Sequence, residues 1–242
     1  MKMTPARSCA VALAFAAFAA HSQVLIDPVV VELGAKQRAA PLTLTLSARA
    51  SGPLTLQTEV LRWHQDATGD NRYEPTSDLL VVPPIIQLKP GESQMVRIAF
   101  RGARQGPAEQ AYRLMLEDVT VVTRGQTEDD KGISFRMRYD LPVMLGAAVP
   151  HQQSLQWSRC AADAPNRACV RVANEGTRRV TLRHMEVRGA GWSLPVEHPG
   201  TVLAQGVREW RFALPQGAQG AALSVAGETN RAEPVGAQFA QH

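Results

Sequence analysis

Cysteine is scarce in this chain, with three in 242 residues, and one of them, Cys9, lies in an N-terminal apolar run. No CxxC pair occurs, and the six histidines never fall at a ligand spacing such as HxxxH, so no ordinary zinc site is visible. There is no GxSxG elbow, no Gly-rich phosphate loop after a strand and no unpaired thiol in the mature chain. Hydrolytic and nucleotide chemistry therefore lack a nucleophile or a cradle, and neither an enzyme nor a cofactor is expected. Helical periodicity is almost absent. Outside residues 8–20, no apolar run approaches the roughly 18 to 20 residues that a membrane helix needs.

The N-terminus reads as a secretory signal peptide over residues 1–22. Lys2 and Arg7 form its basic region, residues 8–20 its apolar region, and Ala20-His21-Ser22 or Ala17-Phe18-Ala19 offers a small-x-small cleavage site. The mature chain is expected to be exported, without membrane insertion. Discounting Lys2 and Arg7 lowers the formal net charge from +4 to +2, so the charge does not indicate a nucleic-acid partner. Only Cys160 and Cys169 remain, nine positions apart with Pro165 and Asn166 between them. In an exported chain that spacing reads as a local disulfide.

What the chain does contain is short alternating or apolar runs punctuated by Gly, Pro, Asn and Asp. Strands are expected at 29–33, 42–47, 54–63, 79–82, 94–100, 112–122 and 133–145, a number that suits an immunoglobulin-like sandwich. Residues 146–153 read as a linker. A second, smaller β-sandwich follows, with strands at 154–157, 169–173, 180–187, 192–196, 209–214 and 221–226 and a tail from Glu228 that is expected to be poorly ordered. The domain limits are thus 23–146 and 147–242. Asp66, Asp70, Asn71 and Glu74 lack the alternation of a calcium loop and read as a solvated hairpin tip.

The longest pattern is the run 133–145. Ile133, Phe135, Met137, Tyr139, Leu141, Val143 and Leu145 alternate with Ser134, Arg136, Arg138 and Asp140. One apolar row results, roughly 40 Å long at about 3.3 Å per residue. Part of it must cover the sandwich's own core, for which four residues suffice. The remainder, on an edge strand, invites pairing with another chain.

Three stretches resemble the PapD-like periplasmic pilus chaperones of the chaperone-usher pathway, and most of all their archaic, spore-coat-U branch. They are Leu79-Leu80-Val81-Val82-Pro83-Pro84-Ile85-Ile86 with Leu88-Lys89-Pro90-Gly91-Glu92 and Gln94-Met95-Val96-Arg97-Ile98, then Glu109-Gln110-Ala111-Tyr112-Arg113-Leu114, and Leu141-Pro142-Val143. The match covers most of residues 24–146. Pro83 and Pro84, unable to donate ladder hydrogen bonds, must end a strand. The resemblance implies two immunoglobulin-like sandwiches set in an L, with a pilus subunit in the cleft and delivery to an outer-membrane usher. It implies that Phe135, Met137, Tyr139, Leu141 and Val143 fill the groove of a subunit that lacks its last strand. The family's carboxylate-holding Arg and Lys align here with Val30 and Pro142, neither able to serve. Arg97 is the first substitute, with Arg136 and Arg138 behind it.

Two rival readings fit the sequence less well: a secreted structural subunit or adhesin, and, further behind, a secreted hydrolase. A structural subunit or adhesin should lack a last strand and carry a donor extension, whereas residues 23–27 are short. A secreted hydrolase should show a nucleophile with its base. Thiol-reactive mass labelling of the native exported protein is expected to find Cys160 and Cys169 unreactive until reduction, and two free thiols would refute the pairing.

Overall fold

A computed structural model describes residues 23–120, 136–218 and 222–240. The first half contains β1 (Val24–Asp27), β2 (Val31–Leu33), β3 (Ala39–Leu46), β4 (Leu54–Gln65), β5 (Asn71–Pro75), β6 (Leu79–Val82), β7 (Ile85–Leu88), β8 (Ser93–Phe100), β9 (Gln110–Asp118) and β10 (Arg138–Leu145). The second contains β11 (Leu155–Cys160), β12 (Arg167–Asn174), β13 (Val180–Gly189), β14 (Trp192–Pro195), β15 (Gly200–Val202), β16 (Val207–Ala213), β17 (Leu223–Thr229) and β18 (Pro234–Phe239). Among the described residues the chain is all-β and forms two sandwiches.

The first sandwich packs the sheet β1-β3-β8-β6 on the sheet β2-β10-β9-β4-β5, with β7 paired to β4. Alternation sets its core. Leu42, Leu44 and Leu46 of β3 and Val96, Ile98 and Phe100 of β8 point inward, against Leu56, Leu114, Leu116, Leu141, Val143 and Leu145 of the other sheet. Prolines at two sites mark where the chain changes sheet. The first strand leaves β1 at Asp27-Pro28 and re-forms as β2, which runs parallel to β10. Pro83-Pro84 ends β6 in one sheet before β7 joins the other, as expected of residues that cannot donate.

Tyr112 opens β9 with its ring fully buried, and its hydroxyl donates to Asp78 Oδ2 at 3.1 Å. Asp78 also receives Arg62. Burial and the neighbouring Asp78 carboxylate raise the Tyr112 phenol well above its ordinary range near 10.

The second sandwich sets β11-β12-β16 against β14-β13-β17-β18, with β15 on β13. Val170, Val172, Leu182, Met185, Val187 and Val225 fill it. Trp157 stacks on Trp210 at 6.0 Å. Cys160 and Cys169 form a disulfide between directly opposed residues of β11 and β12.

Several expected boundaries shift. The tail is not loose: residues 234–239 form β18 along β17, because Val235 and Phe239 pack on the second core. Residues 24–27 and 71–75, not predicted as strands, are β1 and β5. Within the predicted strand 133–145, β10 begins at Arg138, and residues 133–135 lie outside the described residues.

Tyr112→Phe should lower stability by about 1 to 2 kcal/mol in urea denaturation, because it removes one buried hydrogen bond to a charged acceptor. The phenol's raised value stabilises the fold fully below pH 10, and that contribution falls as pH rises toward the folded value. The destabilisation of wild type above pH 10 should therefore be weaker in the variant.

Candidate functional site

Strand β10 has two faces and two edges. Its register pairs it with β9 from Arg138↔Glu117 to Leu145↔Gln110. The Asp118 amide donates to Met137 O at 3.0 Å, so odd residues of β10 bond to β9 and even residues aim their backbone at the other edge. The Gly146 amide follows this rule by donating to Leu33 O of β2 at 2.7 Å. Among the described residues, β2 covers that edge only at Val143, Met144 and Leu145. Among the described residues nothing pairs with the edge from Arg138 to Pro142, and Pro142, with no N–H, sits where an edge tolerates it.

The inward row is graded. Val143 is 0 % exposed and Leu141 6 %, both in the sandwich's own core; Tyr139 is half-buried against it; Met137 is 54 % exposed. The row thus leaves the core as it runs toward its N-terminal end. Burial, then the Asp118 charge, raises the Tyr139 phenol. Leu141 and Val143, expected to serve a partner, already fill this chain's core, so a partner meets them only as a continuation of that core. Phe135 lies outside the described residues.

The outward face of β10 is polar at one end and apolar at the other. Arg138 pairs with Glu59 at 3.3 Å and Asp140 with Arg113 at 3.3 Å. Arg113 stands directly across from Pro142. Its guanidinium lies 3.9 Å over the Trp63 ring and 5.9 Å from Tyr73, an arrangement that holds a cation flat against two aromatic faces. Its Nε is buried and unpaired. Further along, Met144 joins Trp63, Ala111 and Leu203 of the second sandwich in a small apolar cluster, with Val30 against it. Hydrocarbon thus occupies the place at Val30 where the resemblance led one to look for a cation.

The three predicted anchors are not brought together. Arg136 and Arg138 are exposed at the open end of β10. Arg97 is exposed on the outer face of the opposite sheet, between Pro41 of β3 and Val82 of β6, because odd residues of β8 point away from the core. Arg113 was missed. Its only trace in the sequence is a charge set between the buried Tyr112 and Leu114 of one strand.

A second polar group ties the two sandwiches. Arg179 Nη1 donates to Glu109 Oε2 at 2.6 Å, its backbone amide donates to Glu109 Oε1 at 3.0 Å, and its other arm reaches Glu32. Burial opposes the Arg179 charge, but the Glu109 and Glu32 carboxylates outweigh it and raise its pKa. A cavity of about 260 Å³ beside this group is lined by Glu32, Met144, Arg178, Arg179, Thr181 and Arg231. Among the described residues the only cluster of possible metal ligands is Cys160, Cys169 and Glu209, whose two sulfurs are already bonded to each other.

These features define a class: a two-sandwich immunoglobulin-like protein with a graded apolar edge strand. The sequence model of the pili and flagellar-assembly chaperones, PapD N-terminal domain, matches residues 23–146, just over half of the chain. The chain belongs to that family, whose members are chaperones and not enzymes. No curated protein matches it in sequence. Its fold is similar to a chain of the CsuC–CsuE chaperone–tip adhesion subunit pre-assembly complex from the archaic chaperone-usher Csu pili of Acinetobacter baumannii. There the identity is 18 %, the TM-score 0.68, and the match covers 91 % of this chain and 100 % of that one. The YadV chaperone gives 13 % identity, a TM-score of 0.62 and coverage of 90 % and 100 %. The Salmonella enterica SafA pilin–SafB chaperone complex gives 16 % identity, a TM-score of 0.60 and coverage of 89 % and 96 %.

Arg179→Met should leave the Glu109 carboxylate, 6 % exposed, without its cation. About 3 to 5 kcal/mol of stability should be lost in urea denaturation. Glu32→Ala, at a carboxylate 65 % exposed, should cost no more than about 1 kcal/mol.

Proposed function

We propose that this chain is a periplasmic chaperone that holds pilus subunits by donating strand β10, and passes them to an outer-membrane usher. On this reading residues 1–22 are a cleaved leader, 23–146 the subunit-binding domain and 147–242 the smaller partner domain. One observation carries the proposal: the inward row of β10 passes from full burial at Val143 to 54 % exposure at Met137, along an edge open from Arg138 to Pro142 among the described residues. A subunit lacking its last strand would extend this core instead of building a separate interface. Phe135, Met137 and Tyr139 would enter the subunit groove, with Leu141 and Val143 as the root of the row. Each well-buried side chain contributes about 1.5 to 3 kcal/mol, and association entropy offsets much of the sum.

The subunit's terminal carboxylate needs a cation. Arg97, Arg136 and Arg138 stand as the anchors suggested by sequence, with Arg97 facing away from β10. A further reading is favoured by Arg113, which occupies the wall directly opposite Pro142 with an unpaired Nε and a guanidinium fixed by Asp140 and Trp63. The preformed orientation lowers the ordering cost of binding a carboxylate.

Co-expression with an exported pilus subunit, followed by affinity recovery, tests both parts. Met137→Asp, at a side chain 54 % exposed, should reduce recovery at least tenfold while the free variant melts as wild type; unchanged recovery overturns the strand assignment. Arg113→Gln should reduce recovery more than Arg97→Ala, and the reverse order returns the anchor to Arg97.

A further inference from the structure

The turn between β4 and β5 overhangs its own sheet. The pairing of β4 with β9 ends at Trp63↔Ala111, whereas β4 continues to Gln65 and is met there only by β5, at Asn71. A two-stranded ribbon is marginally stable in water. This one is ordered from within and from across the molecule.

From within, the Asp66 carboxylate accepts from the Thr68 amide at 3.0 Å, the Thr68 hydroxyl at 2.8 Å, the Asp70 amide at 3.0 Å and Arg72 Nε at 2.8 Å. The Thr68 hydroxyl first, then Arg72 and the Asp70 and Thr68 amides, hold the Asp66 carboxyl far below the ordinary carboxylate range, outweighing the opposing effect of desolvation. The tip is therefore fixed and ionised at any physiological pH.

From across, three contacts seize it. Gln65 Nε2 donates to Thr201 O at 2.8 Å and Gln65 Oε1 accepts from the Leu203 amide at 3.0 Å, so one side chain is stitched to the backbone of β15 and the residue beyond it. Ala67 O accepts from Arg171 Nη1 at 2.7 Å, and Arg171 is itself held by Glu209 at 2.8 Å. Gly69, at φ +88°, lies so close to β16 that a Cβ would sit 2.5 Å from Arg208 Cα and 2.8 Å from Val207 O. Backbone on backbone at that spacing admits no side chain.

We infer that the β4–β5 hairpin is a clasp that sets the angle between the two sandwiches, with Gln65 and Gly69 as positioning residues for subunit capture. The Arg179 group ties the same two bodies through β2 and β9, and the Trp63, Met144 and Leu203 cluster is a third point of attachment. Contacts at separate points on two rigid bodies remove the freedom to hinge. The cleft is thus shaped before a subunit arrives, and its ordering cost is not charged to binding. The consequence for subunits rests on the function proposed above; the clasp itself does not.

Residual dipolar couplings on the free mature chain test it without any subunit. Wild type should fit one alignment tensor across both sandwiches. Gly69→Ala, which adds a single methyl, and Gln65→Leu, which removes both cross-molecule bonds, should each require two different tensors, with the fit inside each sandwich unchanged. Gly91→Ala is the control for backbone strain alone, since Gly91 has φ +82° in a turn whose only near neighbour is Ala48, 3.7 Å away; it should keep one tensor. Two tensors in wild type, or one tensor in both clasp variants, overturns the inference. Subunit affinity should fall at least tenfold in the clasp variants and stay unchanged in Gly91→Ala. Altered tensors with unaltered affinity would keep the clasp and remove its part in capture.

Discussion

The pairing of β10 constrains everything else in this molecule. A strand has two faces and two edges, and here each has a different occupant. Odd residues complete the first core, and Met144 on the other face supports the second sandwich. β9 takes one edge along its whole length, while among the described residues β2 takes the other over three residues only. Shifting the register by one residue would turn Leu141, Val143 and Leu145 to the solvent and Asp140 to the core. The first sandwich would not survive such a slip, so the strand with the open edge is also firmly specified inward.

The apolar cluster around Val30 shows why a family pattern can keep its fold and change its chemistry. Val30, Met144 and Leu203 exclude water around Trp63, which is favourable at about 25 cal/mol per Å² of apolar surface. A guanidinium at Val30 would enter that cluster and lose solvation worth several kcal/mol unless paired. The charge on this wall stands instead at Arg113 of β9, across β10 from β2, where Asp140 and two aromatic rings receive it.

Much of this architecture is legible in the chain. The period-2 pattern gives β3, β8, β9 and β10, whose alternate residues are buried, and Pro83-Pro84 correctly marks a break. β5 is hidden because all five of its residues are exposed and carry no apolar rhythm. β18 is hidden by small residues that pack lightly. The hairpin tip reads as solvated because Asp66, Thr68 and Asp70 are turn residues; nothing local says that Thr201 and Leu203 wait for Gln65 more than 130 positions away. Arg113 gives no periodic signal, since its role comes from three neighbours on three different strands.

Pro142 has a consequence for what the open edge can template. Along Arg138, Asp140 and Pro142 that edge presents three carbonyls but only two amides. A ladder laid on it would be short by one rung, about 1 kcal/mol, or roughly five-fold in the affinity of the pair. Any strand added to this edge would be paired more fully at the Arg138 end than at the proline. Its grip is graded rather than complete, and the same missing donor hinders two such edges from fusing into a continuous fibre.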